Sequence, residues 1–288
     1  MAAQPLQPSA FSVDSAGVEL AGETVGEGPP IVLLHGITAT RRYVVHGSNA
    51  LPRRGYEQIS YDARGHGESQ PPPAGEPFSS HGLAQDLGRV LAERCPGRRP
   101  VLAGHSMGAH TLVTYALDHA GELAGIVAIG PVTIGGPPPQ EVLDGWDRLA
   151  DGLEGGGVDG FMAVYERELQ VDPGWKQTIL RFTRERMERH RHPEAVAQPM
   201  REIPRSPPFE GLAELESLRL PALVVASGDE ADPGHPRSVA EAWAESLPEA
   251  RLLSEEPGEA PLAWQGGKLA REIAAFCEES AVRERHDE

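Results

Sequence analysis

A mainly parallel α/β fold, with a central sheet flanked by helices and a helical insertion late in the chain, is predicted by three observations. Short unbroken apolar runs, Ile31–Leu34, Val101–Ala103, Gly125–Ile129 and Ala222–Ala226, read as strands buried on both faces. Helical apolar spacing follows several of them. Between residues 135 and 218 the alternation stops and only helical patterns remain. With 288 residues, 39% of them hydrophobic, there is material for one large core. Residues 1–134 and 219–288 are expected to form the two parts of that core, and 135–218 a cap.

The elements follow in order. Residues 1–9 are polar and proline-containing and read as a loose tail. The stretches 11–14 and 18–25 alternate apolar and polar about Gly17, predicting an antiparallel hairpin at a sheet edge. Ile31–Leu34 runs into His35-Gly36-Ile37-Thr38, and Tyr56–Tyr61 reads as a second strand. After Pro71-Pro72-Pro73, the spacing of Leu83, Leu87, Val90 and Leu91 predicts a helix. Within 135–218, helices are predicted around Val142–Leu153, Phe161–Leu169, Trp175–Met187 and Ala195–Met200, broken at Gly155-Gly156-Gly157 and at prolines. A helix around Val239–Leu247, a weak strand at Ala250–Leu253 and an amphipathic helix carrying Leu269, Ile273 and Phe276 complete the pattern, with a frayed charged end.

The formal charge of −17 repels phosphate backbones and anionic membrane surfaces, so neither nucleic acid nor a membrane is expected as partner. Cys95 and Cys277 are the two cysteines and lie in no metal or redox spacing, which fits a reducing, cytoplasmic compartment. No signal peptide or membrane-spanning run is read. No His/Asp/Glu cluster has ligand spacing and no nucleotide motif occurs, so no metal or cofactor is expected.

Chemistry concentrates at Gly104-His105-Ser106-Met107-Gly108, where a strand turns sharply into a helix carrying Leu112, Val113 and Ala116. Such a turn lifts the Ser106 hydroxyl clear of the sheet and aims the first free helix amides at whatever it attacks. Together with His35-Gly36 after the first buried strand and Asp62-Ala63-Arg64-Gly65-His66-Gly67-Glu68-Ser69 after the second, this segment resembles the α/β-hydrolase family over nearly the whole chain. The resemblance implies Ser106 as nucleophile and the backbone N–H groups of Ile37 and Met107 as the oxyanion hole. His35 and His66 are expected to brace loops by hydrogen bonds, and His105, which strand alternation points away from the serine's side, to be buried support. The family's acid loop is matched by Asp232-Pro233-Gly234-His235-Pro236, which makes Asp232 the acid, with Asp229 as the alternative.

The chain departs from the family after the last strand. Ser254 to Trp264 contains no histidine where the family carries its general base. An unassisted serine hydroxyl is a poor nucleophile near neutral pH. Three arrangements stay open: His235 supplies a relocated base; a carboxylate among Glu255, Glu256 and Glu259 takes the place; or the protein binds a small molecule without hydrolysing it. The leading expectation is a hydrolase of a small ester, lactone or related acyl substrate, with thioesterase and haloperoxidase chemistry as relatives of the same pocket. Trp146, Phe161, Tyr165 and Trp175 serve either as pocket lining or as packing. The Arg181–Arg191 run reads as a solvated helix face.

Overall fold

Ala16 and Gly17, at φ 53° and 83°, turn β1 (Ser9–Ser15) back onto β2 (Val18–Val25) in an antiparallel hairpin, as the alternation predicts. The structure, a computed structural model, describes residues 6–287, so most of the expected tail lies outside the described residues, and Ser9 belongs to β1. The remaining strands are β3 (Pro30–Leu34), β4 (Glu57–Tyr61), β5 (Val101–His105), β6 (Gly125–Ile129), β7 (Ala222–Val225) and β8 (Ala250–Leu253). Among the described residues they form one sheet ordered β1-β2-β4-β3-β5-β6-β7-β8, in which every pairing from β4 through β8 is parallel and β2 is antiparallel to both its neighbours. Carboxyl ends of the parallel strands therefore share one edge, where such sheets place their functional loops.

Both faces are covered. Helix α1 (Ser80–Arg94) begins at Ser79, whose hydroxyl accepts the Gly82 amide, and buries Leu83, Leu87, Val90 and Leu91. It packs with α2 (Met107–His119) and, further along the same face, Trp243. The opposite face holds Leu269, Ile273 and Phe276 against Ile31, Leu33 and Val127.

The segment between β6 and β7 carries helices and, among the described residues, no strand. Helix α3 (Gln140–Glu168) is broken at Gly156 and Gly157, the latter at φ 61°, into the two halves that the glycine triplet predicts. The halves fold back on each other through glycine: a Cβ on Gly160 would lie 2.2 Å from the Gly152 carbonyl oxygen. Arg148 and Glu168 close the open end of this hairpin at 2.6 Å. Helix α4 (Pro173–Met187) starts at Asp172, which caps the Gly174 amide, and a short α5 (Ala197–Glu202) follows. Apolar residues of all three, including Leu153, Phe161, Met187 and Met200, pack on Ile37, Ala63 and Met107 at the strand ends. Phe161 is buried and stacks on Tyr165, and Trp175 meets Trp264 edge-on. These aromatics pack, as one of the two sequence readings has it.

After β7 come α6 (Arg237–Ser246), β8 and α7 (Gly266–Cys277). The expectation of a frayed end is corrected: Ser280–Asp287 forms α8, seated by buried Val282 and by Arg285 donating to the carbonyls of Ala120 and Leu123. Arginine's fork satisfies two helix-end carbonyls there, a long-range partner that local charge patterning does not reveal.

Candidate active site

Ser106 stands between β5 and α2 at φ 54° and ψ −115°, a backbone conformation costly for a side chain with a Cβ. Its neighbours explain why the turn holds. A Cβ on Gly104 would lie 2.3 Å from the Gly108 carbonyl, and one on Gly108 would lie 2.2 Å from the Leu34 carbonyl. Only glycine permits the helix to sit this close to β3 and β5. The Ser106 amide donates to the Ile129 carbonyl at 2.9 Å, tying the turn to the end of β6.

The loop after β3 passes directly beside this turn. A Cβ on Gly36 would sit 3.3 Å from the Ser106 Cβ and 3.2 Å from His105 Nδ1. Ile37 and Met107 are both buried and belong to one apolar cluster. Met107 is the first residue of α2, where backbone amides lack intrahelical acceptors.

Histidines brace these loops. The Ala63 amide donates to His35 Nε2 at 2.9 Å, so Nδ1 carries the proton given to the Gly36 carbonyl. Burial pushes His35 down to about 3. His66 spans the carbonyls of Arg64 and Ile37, 2.8 Å from each. His190, just past α4, accepts the Gly67 amide at Nδ1 and faces the Thr38 carbonyl with Nε2, and burial holds it at about 3. This inward-facing histidine departs from the solvated face read for the Arg181–Arg191 run: sequence gives the charges, but the chain leaves the helix before residue 190. Behind the same loops Asp62 pairs with Arg41, and Arg64 forks onto Asp86 with two 2.6 Å bonds.

Beyond β7 the two aspartates separate by role. Asp229 Oδ1 accepts the Arg237 amide at 2.8 Å and so serves the start of α6. Asp232 Oδ1 lies 2.9 Å from His235 Nδ1. Burial opposes the Asp232 charge, yet the adjoining His235 imidazole holds its carboxyl below the usual range. The His235 ring rests on Gly130, where a Cβ would approach it to 3.1 Å, and lies 4.7 Å from the His105 ring, centre to centre. His105 was expected only to support the strand. The fold instead brings it against His235, and burial together with its neighbour His235 pushes its pKa well down. One ligand atom from each of His105, Asp232 and His235 falls within 4.8 Å of the others, a grouping that sequence spacing does not show.

The carboxylates after β8 are otherwise engaged. Glu255 is buried, with one oxygen accepting the Gly228 amide and the other the Leu262 amide at 3.0 Å. Glu259 is exposed and bonded to Lys268 at 2.8 Å, a partner that lowers its pKa. Glu256 is exposed. A general base needs an oxygen free for the proton it takes, whereas Glu255 has both oxygens on backbone amides and Glu259 is paired with Lys268.

Comparison with known proteins agrees with the fold. The chain is 34% identical over 104 residues to the AB hydrolase superfamily protein YisY of Bacillus subtilis, covering 36% of this chain and 38% of that protein. It is 35% identical over 124 residues to epoxide hydrolase A of Mycobacterium tuberculosis, covering 42% and 38%. In each case the match spans about two fifths of the relative's length. The fold matches that of a thermophilic esterase from Thermogutta terrifontis with a TM-score of 0.74 at 21% identity, over 97% of this chain and 99% of that one. No helix among the described residues is long and apolar enough to cross a membrane. The alpha/beta hydrolase fold family model matches residues 29–266, and with its parallel sheet and its serine at a strained strand-to-helix turn the chain belongs to that family.

Proposed function

We propose that the protein is a serine hydrolase of a small ester, lactone or related acyl substrate, with acid and base supplied by a single loop. The observation that carries this reading is the Asp232–His235 hydrogen bond, placed by Gly130 and His105 at the strand ends that flank Ser106. With Nδ1 held by Asp232, His235 keeps Nε2 for the nucleophile's proton. In the proposed reaction Ser106 Oγ attacks the acyl carbon while its proton passes to His235. The amides of Ile37 and Met107 receive the developing oxyanion, and the imidazolium then protonates the leaving oxygen. Water repeats the sequence on the acyl-enzyme. Asp232 holds the imidazole's tautomer and stabilises its charged form. Two buried cysteine thiols with no disulfide support a reducing, cytoplasmic setting.

The experiment compares wild type, Ser106→Ala and His235→Ala for fluorophosphonate labelling and p-nitrophenyl acetate turnover. Loss of both signals in both variants is expected. Labelling and turnover equal in wild type and Ser106→Ala overturn the hydrolase reading. A silent His235→Ala overturns the relocated base alone.

A further inference from the structure

His105, Asp232 and His235 share more than the one hydrogen bond used above. Two of their atoms, His105 Nε2 and Asp232 Oδ2, are sealed from solvent and have no hydrogen-bond partner among the described residues. Leaving a buried polar atom unsatisfied is costly, so two in one cluster call for a physical reason. Both rings are set by backbone rather than by flexible neighbours: Gly36 lies against the His105 ring and Gly130 against that of His235. The trio's ligand atoms lie within 4.8 Å of one another. Metal–ligand bonds of about 2.0–2.2 Å span such a gap after a side-chain adjustment of about an ångström.

We propose that His105, Asp232 and His235 form a three-ligand site for a divalent transition metal, with Zn²⁺ the best match. His105 binds through Nε2, Asp232 through Oδ2, and His235 through a ring nitrogen. Two imidazoles and one carboxylate suit zinc, whereas magnesium and calcium take oxygen sets. Water fills the remaining coordination positions. A metal held there occupies the imidazole that hydrolysis needs, so Zn²⁺ acts as a reversible inhibitor. That second half rests on the function proposed above, while the binding itself does not.

Chelator-treated wild type, His105→Gln and His105→Phe are titrated with ZnCl₂ by calorimetry, and with Co²⁺ by visible absorption. One Zn²⁺ per chain is expected in wild type, with binding at least ~10-fold weaker in both variants and the cobalt band lost. His105→Phe keeps a ring against His235 without a ligand atom. Equal affinity in wild type and His105→Gln, or no saturable binding in wild type, overturns the site. Should either variant fail to fold, the wild-type cobalt spectrum decides: absence of a ligand-field band from nitrogen coordination overturns it. Inhibition of p-nitrophenyl acetate hydrolysis by Zn²⁺, reversed by EDTA, is then expected in wild type. If Zn²⁺ binds through His105 while hydrolysis proceeds unchanged, the metal site stands and it is the His235 base that fails.

Discussion

Asp232 and His235 lie three residues apart on one loop and are joined Oδ1 to Nδ1 at 2.9 Å, while Asp229 spends its carboxylate on the Arg237 amide. Asp232→Asn is therefore expected to lower kcat by about 10⁴-fold, because an amide favours the wrong imidazole tautomer. Asp229→Asn leaves kcat within a few-fold and costs about 1 kcal/mol of stability. Steady-state kinetics and thermal melts of the two variants side by side test the assignment; equal kinetic losses contradict it.

Tight glycine contacts make a second expectation. Gly108→Ala and Gly104→Ala place a Cβ 2.2–2.3 Å from fixed backbone and are expected to cost about 3 kcal/mol or more, giving a strongly lowered melting temperature or insoluble protein. Gly121→Ala, with nothing within 4 Å, stays within about 1 kcal/mol of wild type. A Gly108→Ala protein melting with wild type contradicts the packing described.

Glu255 clamps two loops through the Gly228 and Leu262 amides. Glu255→Ala strands the Gly228 and Leu262 amides and is expected to destabilise by about 2 kcal/mol or more. Glu255→Gln keeps one acceptor and retains kcat within about tenfold, whereas a general base lost to an amide costs about 10²–10⁴-fold. Turnover of Glu255→Gln separates the two roles.

Stability is expected to fall in mild acid. His35 and His190 are held at about 3 and His110 at about 4, all by burial, against about 6.5 in an unfolded chain. Between pH 6.5 and about 4 the unfolded chain therefore binds protons that the native state refuses. Each such imidazole removes about 1.4 kcal/mol per pH unit as the pH drops, and none above pH 6.5. Urea midpoints measured from pH 7.5 to 4.5 check the sign; a flat profile across that window contradicts neutral burial of these rings.

Much of the fold was legible because buried parallel strands announce themselves as short apolar runs, and the Gly155–Gly157 break was readable from composition. Ser106 was legible for a local reason, since its turn needs flanking glycines that sequence displays. Asp232 was preferred to Asp229 from the resemblance of its loop, whereas the use of Asp229 by the start of α6 is a contact that the sequence does not display. His105 beside His235, and His190 beneath the Gly67 amide, join residues 130 and 123 positions apart, a relation that neither spacing nor periodicity carries. The final helix was missed because its anchor is the distant pair of Ala120 and Leu123 carbonyls.

A carboxylate and an imidazole on the same short bend inherit their mutual orientation from that bend. No distant strand has to arrive for them to meet. The stretch from Ser254 to Trp264 is thereby left with packing duties, among them the Glu255 clamp, buried Leu262 and the Trp264 contact with Trp175, while its exposed part, residues 256–259, is free to drift in wording and length. Insertions between Glu256 and Ala260 should be absorbed with little harm, where a chain that kept its proton acceptor in that stretch would be silenced by the same change.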